Sequence, residues 1–211
     1  MKKALIVLAK VFLIVTLLFV GLYFGYKNIT KNNLEDKLQT LNDNWTELLK
    51  LQDEKNNFLE ILVNNSSSNI QYIDSLNINL AEYTKNRRSV IECNPSFVYE
   101  QYLSNKYTLP LIKFYSKNEQ LVDNEKKNTL MNVANNIEKI NKVIEKYNSS
   151  VRDYNLYYSS FPNFIIAKSY GFKRKDYFEI QYGIENIDPK IVKKERREWQ
   201  RKIEIEHGLS E

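Results

Sequence analysis

The sequence predicts an all-α protein in which an N-terminal transmembrane helix precedes an antiparallel bundle of three to four long helices. Three observations support this: an apolar N-terminal run, hydrophobic residues spaced three and four apart over long stretches, and few helix breakers. The chain has only 5 Gly and 4 Pro in 211 residues, whereas 27% of its residues are charged, which favours long helices over a fold with many turns. We divide it into an anchor at 1–27, a helical bundle at 28–187 and a charged helical tail at 188–211.

The N-terminal segment is long and apolar enough to cross a bilayer. Between Ala4 and Tyr26 the only charged residue is Lys10, and a spanning helix needs about 20 apolar residues. A cleaved signal peptide is the alternative, but no small-x-small cleavage site follows the run. We therefore expect an uncleaved single-pass anchor. Lysines flank both of its ends, so the sequence leaves its orientation open.

A hydrophobic seam with alternating steps of three and four residues marks the last long helix. This spacing places one residue of each turn on the same stripe, as at the a and d positions of a coiled coil. Pro162 disfavours helix in the residue before it, so we expect the helix to end near Phe161. A similar seam around Trp45 predicts the first soluble helix, and Gln52 and Lys55 interrupt it. The seam residues that we expect to be buried are Trp45, Ile137, Ile144, Tyr147, Val151, Tyr154, Tyr158 and Phe161.

The pattern is weaker between these two helices. Apolar residues from Ile73 to Val90 suggest a second helix. Pro95 and Pro110 then interrupt the sequence. We expect broken helix and loop there, with the last long helix beginning by about Glu119.

The C-terminal part contains two candidate contact surfaces. A short helix after Pro162, ended by Gly171, leads into the basic residues 173–175; it docks a partner or the membrane surface, or simply closes the end of the bundle. A tail helix opened by Asp188 and Pro189 is basic enough to contact lipid or nucleic acid. The alternative for the tail is a solvated helix with internal salt bridges. Its candidate contact residues are Lys193, Arg196, Arg197, Trp199 and Arg201.

The residue inventory argues against an enzyme. One Cys and one His cannot form an intramolecular disulfide or a soft-metal cluster. Cys93 would need a base to act as a nucleophile, and His207 lies near the C-terminal end of the sequence. There is no glycine-rich phosphate-binding loop. We expect no catalytic, cofactor-binding or metal-binding residues and no cofactor.

One block, Tyr147–Glu179, resembles the C-terminal pattern of the LemA family. It reads YNSSVRDYNLYYSSFPNFIIAKSYGFKRKDYFE and has that family's two Tyr-Asn pairs, Phe-Pro step, Gly-Phe step and Tyr-Phe step in order. A weaker match surrounds Trp45, where Glu54-Lys55 stands in place of the family's usual basic pair. The motif residues outside the seam are Asn148, Asn155, Pro162, Gly171, Phe172, Tyr177 and Phe178. We expect the two asparagines to hydrogen-bond across helices and set their register.

The resemblance implies a bacterial, single-pass protein of the inner membrane whose soluble part is a helical bundle. The family has no established catalytic residues or cofactor to transfer. We expect a non-enzymatic scaffold in envelope or membrane organisation, with the lipid bilayer and an unidentified protein as partners. Nucleic acid is the less expected partner, and homo-oligomerisation is left open. The alternative is a ligand-binding or sensory module that recognises a small molecule or a partner peptide.

Overall fold

The computed structural model describes residues 2–64, 75, 78–79, 92–118 and 122–206. Five helices of different lengths are defined in these ranges, and none of the residues described there forms a β-strand. The all-α prediction is confirmed. The helices are α1 (Lys2–Asn64), α2 (Pro95–Lys117), α3 (Asn124–Ser159), α4 (Asn163–Ser169) and α5 (Pro189–Glu206). The predicted helix over 73–90 and the predicted helix start at Glu119 fall on residues that are almost all outside the described ranges.

The chain divides into two compact units. One, which we call the anchor unit, contains residues 1–43 and 149–175; the other, the body unit, contains residues 44–148 and 176–211. In the anchor unit, Asn33 of α1 donates a hydrogen bond to the hydroxyl of Tyr157 of α3 at 2.9 Å. In the body unit, the rings of Trp45 and Tyr147 lie 5.2 Å apart. Also in the body unit, Asn136 of α3 donates to Glu54 of α1 at 3.5 Å, so higher numbers on α1 meet lower numbers on α3 and the two helices are antiparallel in that unit.

The first part of α1 is apolar and exposed. Among the described residues, one helix is long and apolar enough to cross a membrane, and its apolar window lies near the N-terminus with no residue buried. Phe12, for example, is 73% exposed, which is costly for an aromatic ring in water. This arrangement is compatible with a single-pass anchor. Farther along α1, Leu34, Leu41, Trp45 and Leu48 are buried.

The seam of α3 is buried over most of its length. Ile144, Tyr147, Val151 and Tyr154 are buried, and Ile137 and Tyr158 are half-buried. The prediction that Phe161 belongs to the buried seam is wrong, because its ring is 80% exposed. The helix ends at Ser159, so the backbone turns before Phe161 reaches the stripe.

Helix α2 is longer than the sequence suggested. The expectation of broken helix and loop is corrected: one helix runs from Pro95 through Pro110 to Lys117. Asn94 caps it by accepting a hydrogen bond from the Phe97 N–H at 2.9 Å, and a proline in the first turn costs no intrahelical bond. Pro110 removes one bond, yet its neighbours Leu109 and Leu111 are buried, and their packing compensates for the loss.

The chain after α3 follows the predicted order. Helix α4 is followed by Gly171 with a positive φ of 75°, the conformation that glycine adopts most easily after a helix. Residues 172–181, which we call the extended segment, have no regular secondary structure. Asp188 then accepts a hydrogen bond from the Lys190 N–H at 2.8 Å and so caps α5 as expected.

Candidate functional site

In the body unit, asparagines of α3 hold the extended segment and the turn after it by the main chain. Asn148 donates to the carbonyl of Phe178 and accepts from its N–H, both at 2.9 Å. Asn141 makes the same pair of bonds with Tyr182, both at 3.0 Å. A side-chain amide carries both a donor and an acceptor, so each asparagine substitutes for the neighbouring strand that an extended backbone would otherwise need. We call these paired bonds amide clamps.

The spacing of the two clamps fits the two backbones. Seven residues of α-helix rise about 10.5 Å, and the four residues from Phe178 to Tyr182 cover about 13 Å when extended. The two lengths are similar enough for the helix and the segment to run side by side. The seven-residue repeat of asparagines on α3 therefore matches a step of about four residues in the bound chain.

Helix α2 adds a further clamp at the turn that follows the extended segment. Asn105 accepts from the Gly183 N–H at 3.0 Å and donates to the Ile184 carbonyl at 2.6 Å. Gly183 has a positive φ of 82°, and a Cβ atom there would lie 3.4 Å from the Ile137 side chain. Glycine is thus suited to this position by its backbone conformation, whereas the Cβ contact would be an ordinary van der Waals distance.

The anchor unit contains the same motif. Asn155 donates to the Lys175 carbonyl at 2.8 Å and accepts from its N–H at 2.9 Å. The hydroxyl of Tyr154 donates to the Lys173 carbonyl at 3.0 Å. Burial raises the pKa of Tyr154 to about 12, which keeps the hydroxyl protonated as a donor at neutral pH. Asn155 bonds to extended main chain here, whereas the sequence suggested a bond to another helix.

The first Tyr-Asn pair makes the same pattern of hydrogen bonds as the second. In the body unit, the hydroxyl of Tyr147 donates to the Asp176 carbonyl at 3.1 Å, while Asn148 clamps Phe178. Burial raises the pKa of Tyr147 well above its usual range. Each Tyr-Asn pair therefore places a hydroxyl on one carbonyl and an amide on a residue two positions later.

Four aromatic rings pack where the body unit holds the extended segment. Trp45 lies 5.3 Å from Phe97, 5.2 Å from Tyr147 and 6.5 Å from Phe178, measured between ring centroids. Phe178 is buried, whereas Tyr177 is exposed. Successive side chains of an extended chain point in opposite directions, so only one of these two motif residues enters the core.

A buried polar patch surrounds Lys55 in the body unit. Its ammonium nitrogen lies 3.0 Å from the Ser104 hydroxyl and 4.1 Å from the centre of the Tyr182 ring. The Tyr182 hydroxyl in turn donates to Gln101 at 2.7 Å and accepts from Gln52 at 3.0 Å. Complete burial lowers the pKa of Lys55 to about 7. Gln52 and Lys55 interrupt the apolar seam in sequence, but both are inside the protein.

Cys93 is poorly suited to act as a nucleophile. The thiol is buried and lies 3.7 Å from the Tyr177 carbonyl. Burial, with a smaller contribution from the charge of Asp176, raises its pKa to about 12. Because the thiolate is the reactive form, the thiol is unreactive at neutral pH. His207 lies outside the described residues.

A cleft of about 710 Å³ opens in the body unit between the start of α2, the extended segment and α5. At one side, the Lys190 ammonium lies 3.8 Å from the centre of the Tyr99 ring. Arg196 pairs with Glu179 at 2.7 Å. The walls thus combine an aromatic ring with cationic and anionic groups, a composition suited to a polar ligand or a peptide.

The predicted contact residues of α5 divide into two groups. Arg196 is engaged with Glu179 of the extended segment, whereas the ion pair within the helix, the kind that the alternative predicts, joins Lys194 and Glu198 at 3.9 Å. Lys193, Arg197 and Arg201 are exposed and line a shallow basic groove, and Trp199 is 62% exposed. In the part of the chain that the structure describes, no group of three or more His, Cys, Asp or Glu residues could hold a metal ion.

The fold and these contacts define a class of protein: an all-α chain with one apolar N-terminal helix, whose later helices hold an extended segment by amide clamps. The model of the LemA family matches residues 80–192, more than half of the 211 residues. The chain therefore belongs to the LemA family. Searches of the curated proteins and of the solved structures find no match. The matched range includes all four clamp asparagines, Asn105, Asn141, Asn148 and Asn155.

Proposed function

We propose that this protein is a non-enzymatic scaffold of the bacterial inner membrane, held by α1 and serving envelope or membrane organisation through a protein partner. The supporting observation is that α1 carries both the exposed apolar window and buried core residues such as Trp45 and Leu48. One helix thus links a membrane-compatible surface to a folded helical body. Membership of the LemA family supports the same assignment.

The non-enzymatic part of the proposal is supported by the state of the two strongest potential nucleophiles. Cys93 is buried with a thiol pKa of about 12. Lys55 has a lowered pKa, but it is completely enclosed by its ring and hydroxyl contacts. A substrate would have to open the core to reach Lys55, and the Cys93 thiol, although it lies at the wall of the cleft, stays in the unreactive protonated form at neutral pH.

The partner surface that we assign to the scaffold is the exposed surface of α5. Trp199 is a large exposed ring on one side of this helix, and Lys193, Arg197 and Arg201 line a basic groove on the opposite side. Tryptophan and arginine are the residues that most often contribute binding energy at protein interfaces. An acidic protein surface would match this face in charge.

Affinity purification tests the scaffold proposal. The tagged full-length chain is extracted from native membranes, and the Trp199→Ala, Arg197→Glu double variant is compared with Lys127→Glu, a charge reversal at another exposed site. We expect a reproducible partner with the first chain and the control but not with the double variant. We also expect a deletion to cause an envelope defect that the full chain restores and a chain lacking residues 2–27 does not. Absence of both a partner and a defect would contradict the proposal.

The cleft supports a second candidate function, the binding of a small polar ligand or a peptide. Its volume of about 710 Å³ falls within the usual range for ligand sites. Its lining includes the cation of Lys190 and the aromatic ring of Tyr99, which contact each other.

Thermal unfolding of the full-length protein in detergent, measured against a metabolite panel, tests this candidate. A ligand at 100 times its Kd stabilises the folded state by about 2.7 kcal/mol. Ser96 lines the cleft, so Ser96→Trp should abolish the shift, while Ser116→Trp at an exposed site of the same helix should preserve it. Equal shifts in both variants would place the ligand elsewhere.

A further inference from the structure

We propose that the turn after α3 and the short helix α4 rest in the headgroup layer of the same bilayer that α1 crosses. We call residues 161–170 the collar. This inference rests on the proposed membrane anchoring and adds a second contact with the same lipid surface. All the contacts that support it lie within the anchor unit.

The collar lies at the level where the apolar run of α1 ends. The run from Ala4 to Tyr26 is about 34 Å long as a helix, against about 30 Å of hydrocarbon, which places Tyr26 at the boundary with the headgroups. The Tyr26 hydroxyl donates to the side-chain carbonyl of Asn163. Thr30 approaches the same oxygen at 3.5 Å.

The direction of α3 also supports placing the collar at the end of the apolar run. Tyr157 contacts Asn33, and six residues later Asn163 contacts Tyr26. Moving along the chain from Tyr157 to Asn163 therefore means moving along α1 towards the apolar run. The turn between α3 and α4 is consequently at the membrane end of the anchor unit.

The collar exposes apolar side chains at this level. Phe161 is 80% exposed and Ile165 is 50% exposed. The Phe161 and Phe164 rings lie 6.3 Å apart and form a small aromatic group. Interfacial segments bury Phe and Leu side chains at the boundary between headgroups and acyl chains, so a lipid surface accounts for an exposed ring that the core does not cover.

The charges around the collar fit an anionic lipid surface. Residues 160–175 contain four basic side chains and no acidic one. Lys168 lies 5.8 Å from the centre of the Phe164 ring, and Lys27 lies 4.8 Å from that of Tyr170. These cations are held next to aromatic rings at the boundary, where each basic side chain adds attraction to anionic headgroups.

Immersion of spin labels tests the proposal. The full-length protein, with Cys93→Ser as background, is reconstituted in vesicles of phosphatidylcholine and phosphatidylglycerol. Nitroxides are attached one at a time through Phe161→Cys in the collar, Phe12→Cys in the apolar run and Met131→Cys on an exposed site of α3. Collisions with oxygen report lipid, and collisions with a water-soluble nickel complex report water.

We expect the label at 12 to favour oxygen most strongly, the label at 131 to favour nickel, and the label at 161 to give an oxygen-to-nickel ratio between the two. Oxygen preference at 12 with a ratio at 161 equal to that at 131 would overturn the collar while leaving the anchor intact. Nickel preference at 12 would reject the anchoring itself and the collar with it. A label at 161 shielded from both reagents would mean that a second copy of the chain covers the collar, which also overturns the proposal.

Discussion

Replacing Asn148 by alanine removes a whole amide clamp without changing the core. Asn148 exchanges two hydrogen bonds of 2.9 Å with the Phe178 main chain, and alanine provides neither. The Phe178 ring packs beside Trp45, so the backbone that carries it must still enter the body unit. Its N–H and carbonyl would then lack their partners.

The two bonds determine the size of the effect. Each intramolecular hydrogen bond contributes about 0.5–1.5 kcal/mol net, so the pair contributes about 1–3 kcal/mol. Alanine returns up to about 0.7 kcal/mol through its higher helix propensity. We therefore expect Asn148→Ala to lower the free energy of unfolding by about 2 kcal/mol. The control, Asn135→Ala at an exposed site of the same helix, should be neutral or slightly stabilising.

Two measurements check the expectation on the full-length protein in detergent micelles. Urea unfolding followed by circular dichroism gives the free energy. Hydrogen exchange gives the local effect, because the Phe178 N–H is the group that Asn148 protects. A loss of about 2 kcal/mol corresponds to exchange about 25-fold faster at this amide. An unchanged exchange rate at Phe178 in a folded Asn148→Ala variant would refute the clamp.

The isosteric variant Asn148→Asp separates the donor from the acceptor. The introduced carboxylate still accepts from the Phe178 N–H but places a negative oxygen against the carbonyl that Asn148 now serves as donor. We expect a loss at neutral pH at least as large as that of alanine. Acidification that protonates the introduced carboxylate restores a donor, so the difference from the alanine variant should reverse at low pH. Identical behaviour of the two variants at all pH values would show that the amide acts only by its bulk.

Three further predictions concern the buried groups. Burial lowers the pKa of Lys55 to about 7, whereas the unfolded value is about 10.4. Between these two pH values the unfolded chain holds a proton that the folded chain lacks, so the free energy of unfolding should rise with pH from about 7. In urea titrations, Lys55→Met should remove this dependence of the unfolding free energy on pH, and Lys50→Met, at an exposed site, should keep it. The same pH dependence in both variants would show that Lys55 titrates normally. The raised thiol pKa of Cys93 predicts that iodoacetamide labels the native protein at pH 8 far more slowly than the unfolded chain, and mass spectrometry showing equal rates would contradict its burial. Ile140→Ala should cost about 2–5 kcal/mol in the same urea assay because the side chain is fully buried, against little change for the exposed Met131→Ala; similar losses would mean that the seam does not pack.

The helices could be predicted because their signals are local. The three-four spacing of α3 requires no knowledge of its neighbours, and the effects of Asp188 and Gly171 depend only on adjacent backbone. Helix α2 could not be predicted in full, because continuation through Pro110 depends on burial of the residues around it. The predicted burial of Phe161 was wrong for a related reason: a periodic pattern does not reveal where the backbone leaves the helix.

The site was predictable only in part. Asn148 and Asn155 were recognised as motif residues, but their partners are main-chain atoms, which leave no trace in side-chain patterns. Asn141 was missed although it precedes Asn148 by seven residues, and that repeat was a usable signal. The burial of Gln52 and Lys55 depends on the distant hydroxyls of Tyr182 and Ser104, which sequence spacing alone cannot pair with them.

The amide clamps hydrogen-bond to main-chain N–H and carbonyl groups and make no contact that depends on the side chains of those residues. Homologous chains are therefore free to exchange outward-facing residues such as Tyr177, provided that proline does not remove the N–H of Phe178 or Tyr182. Gain or loss of a single residue between those two positions is different, because it puts the wrong peptide group opposite Asn141. Within this family, length should be conserved in this stretch more strictly than composition.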